Sequence, residues 1–403
     1  MLKFEWKKVF SRPKSRIAIL IMIAVLIVTS VLTINRVEYV DENGNHSTGI
    51  SAARELRAAK NEWAGPLTGD VLQEVIAEND KINHSEEAQS NDIEKQDKAY
   101  AEKQGISGIL SVISSAFSAY RDFDYFAADN VSSEEVTTLY DRRVSVLKDW
   151  LDSGQENYSQ QEKDFLIGQY EDLDTPFYYE YTDGWSALLQ NISTFILILA
   201  LIIGFLTAGI FSDEFQTKAD SIFFSTRYGR SRAVLSKAGA GFLITTVFYF
   251  VFLLLYTVIV LSVLGADGAD CPIQLEMWRS VYNITFFEAY LFIAAGGYVG
   301  TLLASSLAML VSARSRSTAT ATIVPFIVLC ALPFLSRIIT LPGFCSLFPD
   351  QLLEIYVDLK ESALIEIGGK VMTTAMLILP VYAAVCVILQ PVLYSVYRRT
   401  QIR

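Results

Sequence analysis

Two histidines, His46 and His84, and four cysteines, Cys271, Cys330, Cys345 and Cys386, are all the imidazoles and thiols this chain offers. They are too few for a Cys/His zinc cluster, and both histidines stand in polar stretches where solvent would claim them. No G-x-x-x-x-G-K-S/T loop occurs, so the chain does not itself bind and hydrolyse ATP in the P-loop manner. Neither H-E-x-x-H nor G-x-S-x-G nor a dinucleotide-type glycine turn is present, and no catalytic residue is assigned. The densest chemistry lies between Ser212 and Lys237. Asp213 and Glu214 come first, then Asp220, a short apolar stretch, and the run Ser225-Thr226-Arg227-Tyr228-Gly229-Arg230-Ser231-Arg232. Its means are charge and hydrogen bonding around a glycine turn.

The elements that must hold this segment are set by composition. At 52% hydrophobic and 19% charged, with a positive mean hydropathy of +0.32, the chain is more apolar than soluble domains, which carry about 45–50% and about 25%. The apolar residues collect in six blocks of roughly the 20 residues that a bilayer core requires. These are about 17–34, 192–211, 241–264, 286–311, 318–336 and 371–397. Only Glu288 enters a block, three residues from its edge, within reach of headgroup water. No buried acid or base inside the blocks suggests an ion pathway, which disfavours an ion-driven carrier.

Orientation follows from lysine and arginine. Lys3, Lys7, Lys8, Arg12, Lys14 and Arg16 precede the first block. Lys218, Arg227, Arg230, Arg232 and Lys237 lie between the second and third, Arg314 and Arg316 between the fourth and fifth, and Arg398, Arg399 and Arg403 after the sixth. Six spans put all of these on one side, which predicts cytoplasmic termini. The opposite side receives Asn35 to Ser186, with 31 acids against 13 bases, a net charge of −18. The first block is too long for a signal-peptide core and lacks a small-residue cleavage site, so it reads as an uncleaved anchor. No basic face remains for nucleic acid.

The expected fold is therefore an α-helical polytopic membrane protein. A cytoplasmic amphipathic elbow helix occupies 1–16, with Leu2, Trp6, Val9 and Phe10 on one face. The first transmembrane helix follows at 17–34, a mostly helical extracellular domain at 35–186, and five further spans within 187–403. In the domain, Val71, Leu72, Val75 and Ile76 share a helix face, and Ser132 with Glu135 and Ser159 with Glu162 read as capping boxes. The polar run Ser85 to Gln104 reads as a solvated helix arm or a loop. Phe177, Tyr178, Tyr179, Tyr181 and Trp185 read as an interfacial aromatic belt before the second span. Gly296, Gly297 and Gly300 would let another helix approach closely, within the chain or at a dimer seam. Cys330 and Cys386 read as packing residues, while Cys271 and Cys345, on one external side, could form a disulfide.

An acid just past a span, an amphipathic stretch, a glycine turn and Ser231-Arg232 ahead of Lys237 together resemble the permease subunits of type-2 ABC exporters, in the branch with a large insert between the first two spans. The match rests on Glu214, Ser225-Thr226, Ser231-Arg232 and Lys237; many members have proline where Arg227-Tyr228-Gly229-Arg230 stands here. The resemblance implies that Asp213, Glu214 and Ser225 to Arg232 belong to a coupling loop docked on a separate cytoplasmic ABC subunit, which would hold ATP and Mg. It further implies a second permease copy, identical or paralogous, a place in a bacterial plasma membrane, and an external gate in the loop Arg337 to Lys370, with Leu341-Pro342 and Phe348-Pro349. The implied cargo is an amphiphile, such as a peptide or a lipid-like molecule, and an acidic domain would suit a cationic peptide. The competing reading is an ATP-driven receptor or mechanical coupler that moves its external domain without passing cargo.

Overall fold

A computed structural model describes residues 1–336, 338 and 343–399. The chain is mostly helical, and its helices divide into a bundle and an insert. The bundle begins with α1 (Leu2–Phe10) and α2 (Pro13–Ile34). The insert carries α3 (Ile50–Asn61), α4 (Gly69–Asn83), α5 (Ile93–Lys103), α6 (Ser107–Phe117), α7 (Leu139–Asp152) and α8 (Gln160–Glu171). The bundle resumes with α9 (Asp183–Gln216), α10 (Asp220–Ser225), α11 (Arg232–Leu264), α12 (Phe286–Ser315), α13 (Thr318–Ser336), α14 (Ile355–Lys360) and α15 (Thr374–Arg398). The described residues also form three antiparallel two-stranded sheets: the hairpins β1–β2 (Glu38–Val40, His46–Thr48) and β5–β6 (Leu364–Ile367, Lys370–Thr373), and the long-range pair β3–β4 (Gly65–Pro66, Tyr178–Tyr179).

Five of these helices, α2, α9, α11, α12 and α15, are long and apolar enough to cross a membrane, and α13 adds a shorter apolar helix over Thr318–Ala331. At 1.5 Å per residue the 34 residues of α9 run about 51 Å, well beyond a hydrocarbon core of about 30 Å. Helices α9 and α11 therefore begin or end many residues outside the apolar blocks read from sequence, whereas residues 371–373 are strand rather than helix. Helices α9 and α12 are the most enclosed, and α2 and α15 flank them. Between helices, hydroxyls are paired: Thr33 with Tyr256 at 2.7 Å, Thr245 with Ser305 at 2.8 Å and Thr257 with Tyr290 at 2.9 Å. Such bonds supply specificity where apolar contact with lipid costs nothing.

The insert has its own core, in which Leu72, Val75, Ile109, Ile113, Val136 and Leu139 are buried together with Phe177 and Tyr179. A second part of it, Leu147, Trp150, Leu151, Leu166 and Tyr170, shares one continuous core with the bundle. The aromatic run is consequently no exposed belt. Phe177, Tyr179, Tyr181 and Trp185 are all buried, because β4, its flanking turns and the start of α9 lie under the insert, and only Tyr178 faces out. Both capping boxes form, Ser159 with Glu162 opening α8 and Ser132 with Glu135 opening the turn before α7. Thr285 with Glu288 is a third, which accounts for the acid at the start of α12. The polar run resolves into a turn and α5. His46 is not left to solvent alone: its ring lies 2.5 Å from Glu38 and 3.4 Å from Asp97 on α5.

Candidate functional site

The segment Ser212 to Lys237 lies at the end of the bundle opposite the insert, and its acids do not stand free there. Asp213 and Glu214 occupy the last turn of α9, where a carboxylate opposes the helix dipole and needs cations to hold it. Three supply them. Lys8 of α1 donates to Glu214 Oε1 at 2.5 Å, and Arg12 pairs with Asp213. Lys237 of α11, fully buried, donates to Glu214 Oε1 at 2.7 Å, to Glu5 Oε2 at 3.1 Å and to the Ile210 carbonyl at 3.0 Å. One ammonium thus binds α1, α9 and α11 together. A buried amine this well satisfied is stable only while both carboxylates remain. Asp213 and Glu214, expected in a partner-facing loop, are instead internal fasteners, because α9 continues past its apolar block.

What the segment presents outward begins after Thr217. Phe223 and Phe224 turn the inner side of α10 onto Tyr397, with ring centroids 6.3 and 5.2 Å away, and Phe211 and Phe215 close the same tyrosine at 4.8 and 6.1 Å. The other side shows Ser221, Ile222 and Ser225, with Ile222 72% exposed. Beyond it Thr226 and Arg227 are exposed, and Tyr228 lies between the guanidinium groups of Arg227 and Arg232 at 5.4 and 4.9 Å. Gly229 is needed here: a Cβ would come within 2.0 Å of the Phe223 carbonyl oxygen. Arg230 folds back over the Phe224 ring at 5.0 Å and donates to the Arg398 carbonyl at 3.2 Å, while Ser231 precedes α11 and Arg232 points outward. The presented surface is an apolar knob, Ile222, rimmed by hydroxyls and guanidinium groups. Tyr397 and Glu5, on which it stands, escaped the sequence reading; Glu5, the one acid among six bases, was the available signal.

The glycines of α12 pack inside the chain. A Cβ on Gly296 would meet Ile355 Cδ1 at 2.0 Å and the Leu352 carbonyl at 2.9 Å, and one on Gly300 would meet Leu353 Cδ2 at 2.9 Å. Gly297 lies as close to Tyr249 and Ile196. The space beside all three glycines is filled from within the same chain. The segment they admit, Pro349–Leu353 and α14, lies against the middle of α12, so the chain after α13 dips alongside the spans. Phe348 and Pro349 open that turn, and Leu341 and Pro342 lie outside the described residues. Asp350 is buried there with one carboxylate oxygen unpartnered, an acid at span depth that the apolar blocks did not include. Cys271 and Cys345, which could have formed a disulfide, are free thiols, and Cys271 is buried within the loop between α11 and α12. Among the described residues no cluster of His, Cys, Asp and Glu could hold a metal ion.

A family model described as ABC-2 family transporter protein matches residues 15–396. The chain belongs to that family, and is a multi-pass membrane protein and permease component of an ABC transporter. No match was found among curated proteins or among solved structures.

Proposed function

We propose that this chain is the membrane-spanning subunit of an ATP-driven exporter, with α10 and the turn Thr226 to Arg232 serving as the contact for a cytoplasmic ATP-binding subunit. The observation that carries this is the exposed Ile222 knob on a platform fastened to four bundle helices. Tyr397 ties α10 to α15, and Lys237 ties the neighbouring ends of α1, α9 and α11. A push on α10 would therefore move those helices together rather than bend a loose loop. In this reading the termini are cytoplasmic, the insert is external, and α13 completes six spans. A second copy or a paralogue supplies the other half of the path, and an amphiphilic peptide or lipid-like molecule is the cargo. ATP and Mg belong to the partner subunit.

The continuous core between insert and bundle favours a second reading, in which the same push moves the insert to control an external partner without passing cargo. Reconstituted vesicles separate them, since only export yields ATP-dependent accumulation of a labelled amphipathic peptide. Docking itself is tested by co-purification from mild detergent, comparing wild type with Ile222→Asp/Arg227→Glu, both at exposed positions. A P-loop subunit that accompanies wild type and is lost from a variant of unchanged thermal midpoint supports the assignment. Retention by the variant, or no such subunit with wild type, overturns it.

A further inference from the structure

The insert's acidity stops at a large cavity. This space of about 890 Å³ lies between α6, the loop 118–129, the loop 275–279 and the end of α14, where the insert meets the bundle. Its volume is within the range of about 300–1,000 Å³ typical of small-molecule sites. Five cations line it: Lys103, Arg121, Arg143, Arg279 and Lys360. Three acids do, Asp129, Glu276 and Glu361. Summed over these eight the lining is positive by two, whereas the segment Asn35 to Ser186, which supplies Lys103, Arg121, Arg143 and Asp129, carries −18.

The acids are also already engaged. Glu361 accepts from both Arg121 and Arg279 at 3.1 Å, Asp129 accepts from Asn79 and Asn83 at 2.8 Å with Lys103 beyond, and Glu276 accepts from Gln190 at 2.8 Å. Arg143, only 3% exposed, meets no carboxylate among the described residues. Its guanidinium bonds the carbonyls of Trp278, Tyr170 and Ser280 and stacks 3.7 Å over the Tyr170 ring. Lys360 makes no salt bridge among the described residues and has the Tyr356 ring at 5.8 Å. A buried guanidinium without a counter-charge costs free energy that an anion would return.

The rim supplies the rest of a recognition surface. Tyr125 and Phe126 are 81% and 69% exposed, with Phe123 packed edge-on to Tyr125 at 4.8 Å, and all three border the cavity. Large aromatics held in the open beside a charged recess suit a guest with an apolar or aromatic body. The opposite wall is the hydroxyl face of α6, where Ser107, Ser111 and Ser115 recur at helical spacing.

We propose that this cavity binds an anionic amphiphile, with the acid group on the Arg143, Arg279 and Lys360 side and the apolar body against Phe123, Tyr125 and Phe126. The site stands whether or not the chain exports cargo, and its preferred charge is opposite to that implied by the domain as a whole. One ligand chemistry here has two sources, a phospholipid headgroup from the adjoining bilayer or a soluble organic acid.

Isothermal titration of the full chain in neutral detergent decides it, using phenylbutyrate, its uncharged amide, and dihexanoylphosphatidylglycerol. The variants are Lys360→Gln and Ser111→Trp, both at exposed positions, the second filling the cavity from the α6 wall. Saturable binding of an anion but not of the amide, weakened about tenfold by Lys360→Gln and lost in Ser111→Trp, supports the site. Binding of the phosphatidylglycerol alone assigns it to lipid, and binding of phenylbutyrate alone assigns it to soluble acids. If the amide binds as well as the acid, if Ser111→Trp binds like wild type, or if neither anion binds, the proposal falls.

Discussion

Lys237 shows how much can depend on one side chain. Replacing it with methionine leaves Glu5 and Glu214 facing each other in a buried pocket with Lys8 and Arg12 as the remaining cations. Removing one partner of a buried ion pair costs about 3–5 kcal/mol. The thermal midpoint of Lys237→Met in detergent should therefore fall sharply, and Lys237→Met/Glu214→Gln should recover part of the loss. A midpoint equal to wild type would show that Lys237 contributes no net stability. Cys271 makes the opposite point, since nothing depends on its reactivity. Burial first, then the nearby Glu180 charge, pushes its thiol up to about 12. Because the thiolate is the reactive form, maleimide at neutral pH should leave Cys271 unlabelled until the chain is denatured, and reduction should not change the intact mass. The roles of such residues were legible unevenly. Lys237 was marked as the base ahead of the third span, yet its partner Glu5 lies 232 residues away. Pairing across that distance leaves no local pattern.

At the scale of elements, the apolar blocks were legible because a bilayer demands about 20 apolar residues whatever their neighbours. Helix ends were not, because α9 and α11 continue into water-exposed or protein-buried turns where no hydrophobic threshold applies. That is why two loop acids proved helical. The α12 glycines were visible as small residues, but only the fold says what approaches them. Gly296→Ala should lower the thermal midpoint by displacing Leu352 and Ile355. Gly204→Ala, whose Cβ would meet Ala304 at an ordinary 4.0 Å, should be neutral or stabilising by roughly 0.5–1 kcal/mol. Equal effects would mean that the dipping segment does not depend on close approach. In the segment presented by α10, Gly229→Ala should drive the turn off the Phe223 carbonyl and speed tryptic cleavage at Arg227 and Arg230; unchanged cleavage would show a turn that tolerates the added carbon. The β1–β2 hairpin carries a pH signature. Bonds to Glu38 and then Asp97 raise His46 above its ordinary 6.5. The contribution is complete below pH 6.5 and is lost as pH rises through the raised value. Amide protection in residues 38–48 should fall across that rise in wild type and stay flat in His46→Gln.

Across the whole molecule, two ends with different chemistry face away from each other along the same helices. One presents an isoleucine among hydroxyls and arginines; the other holds a cation-lined recess within an acidic insert. Charge counting by segment picked out the acidic insert, because that quantity is a sum along the chain. It missed the recess, because Arg143, Arg279 and Lys360 come from three separate stretches, and Arg143 is outweighed in its own segment by the exposed acids of the insert. The fastening at Lys237 also bears on how the molecule is built. Glu5 leaves the ribosome 232 residues before the lysine it must meet, an interval on the order of ten to fifty seconds at typical synthesis rates. Throughout that interval α1 can rest on the membrane surface but cannot be locked, so the register of the spans is sealed only when α11 arrives. A fusion that pulls on α1 would consequently damage assembly late, after α9 is already in place.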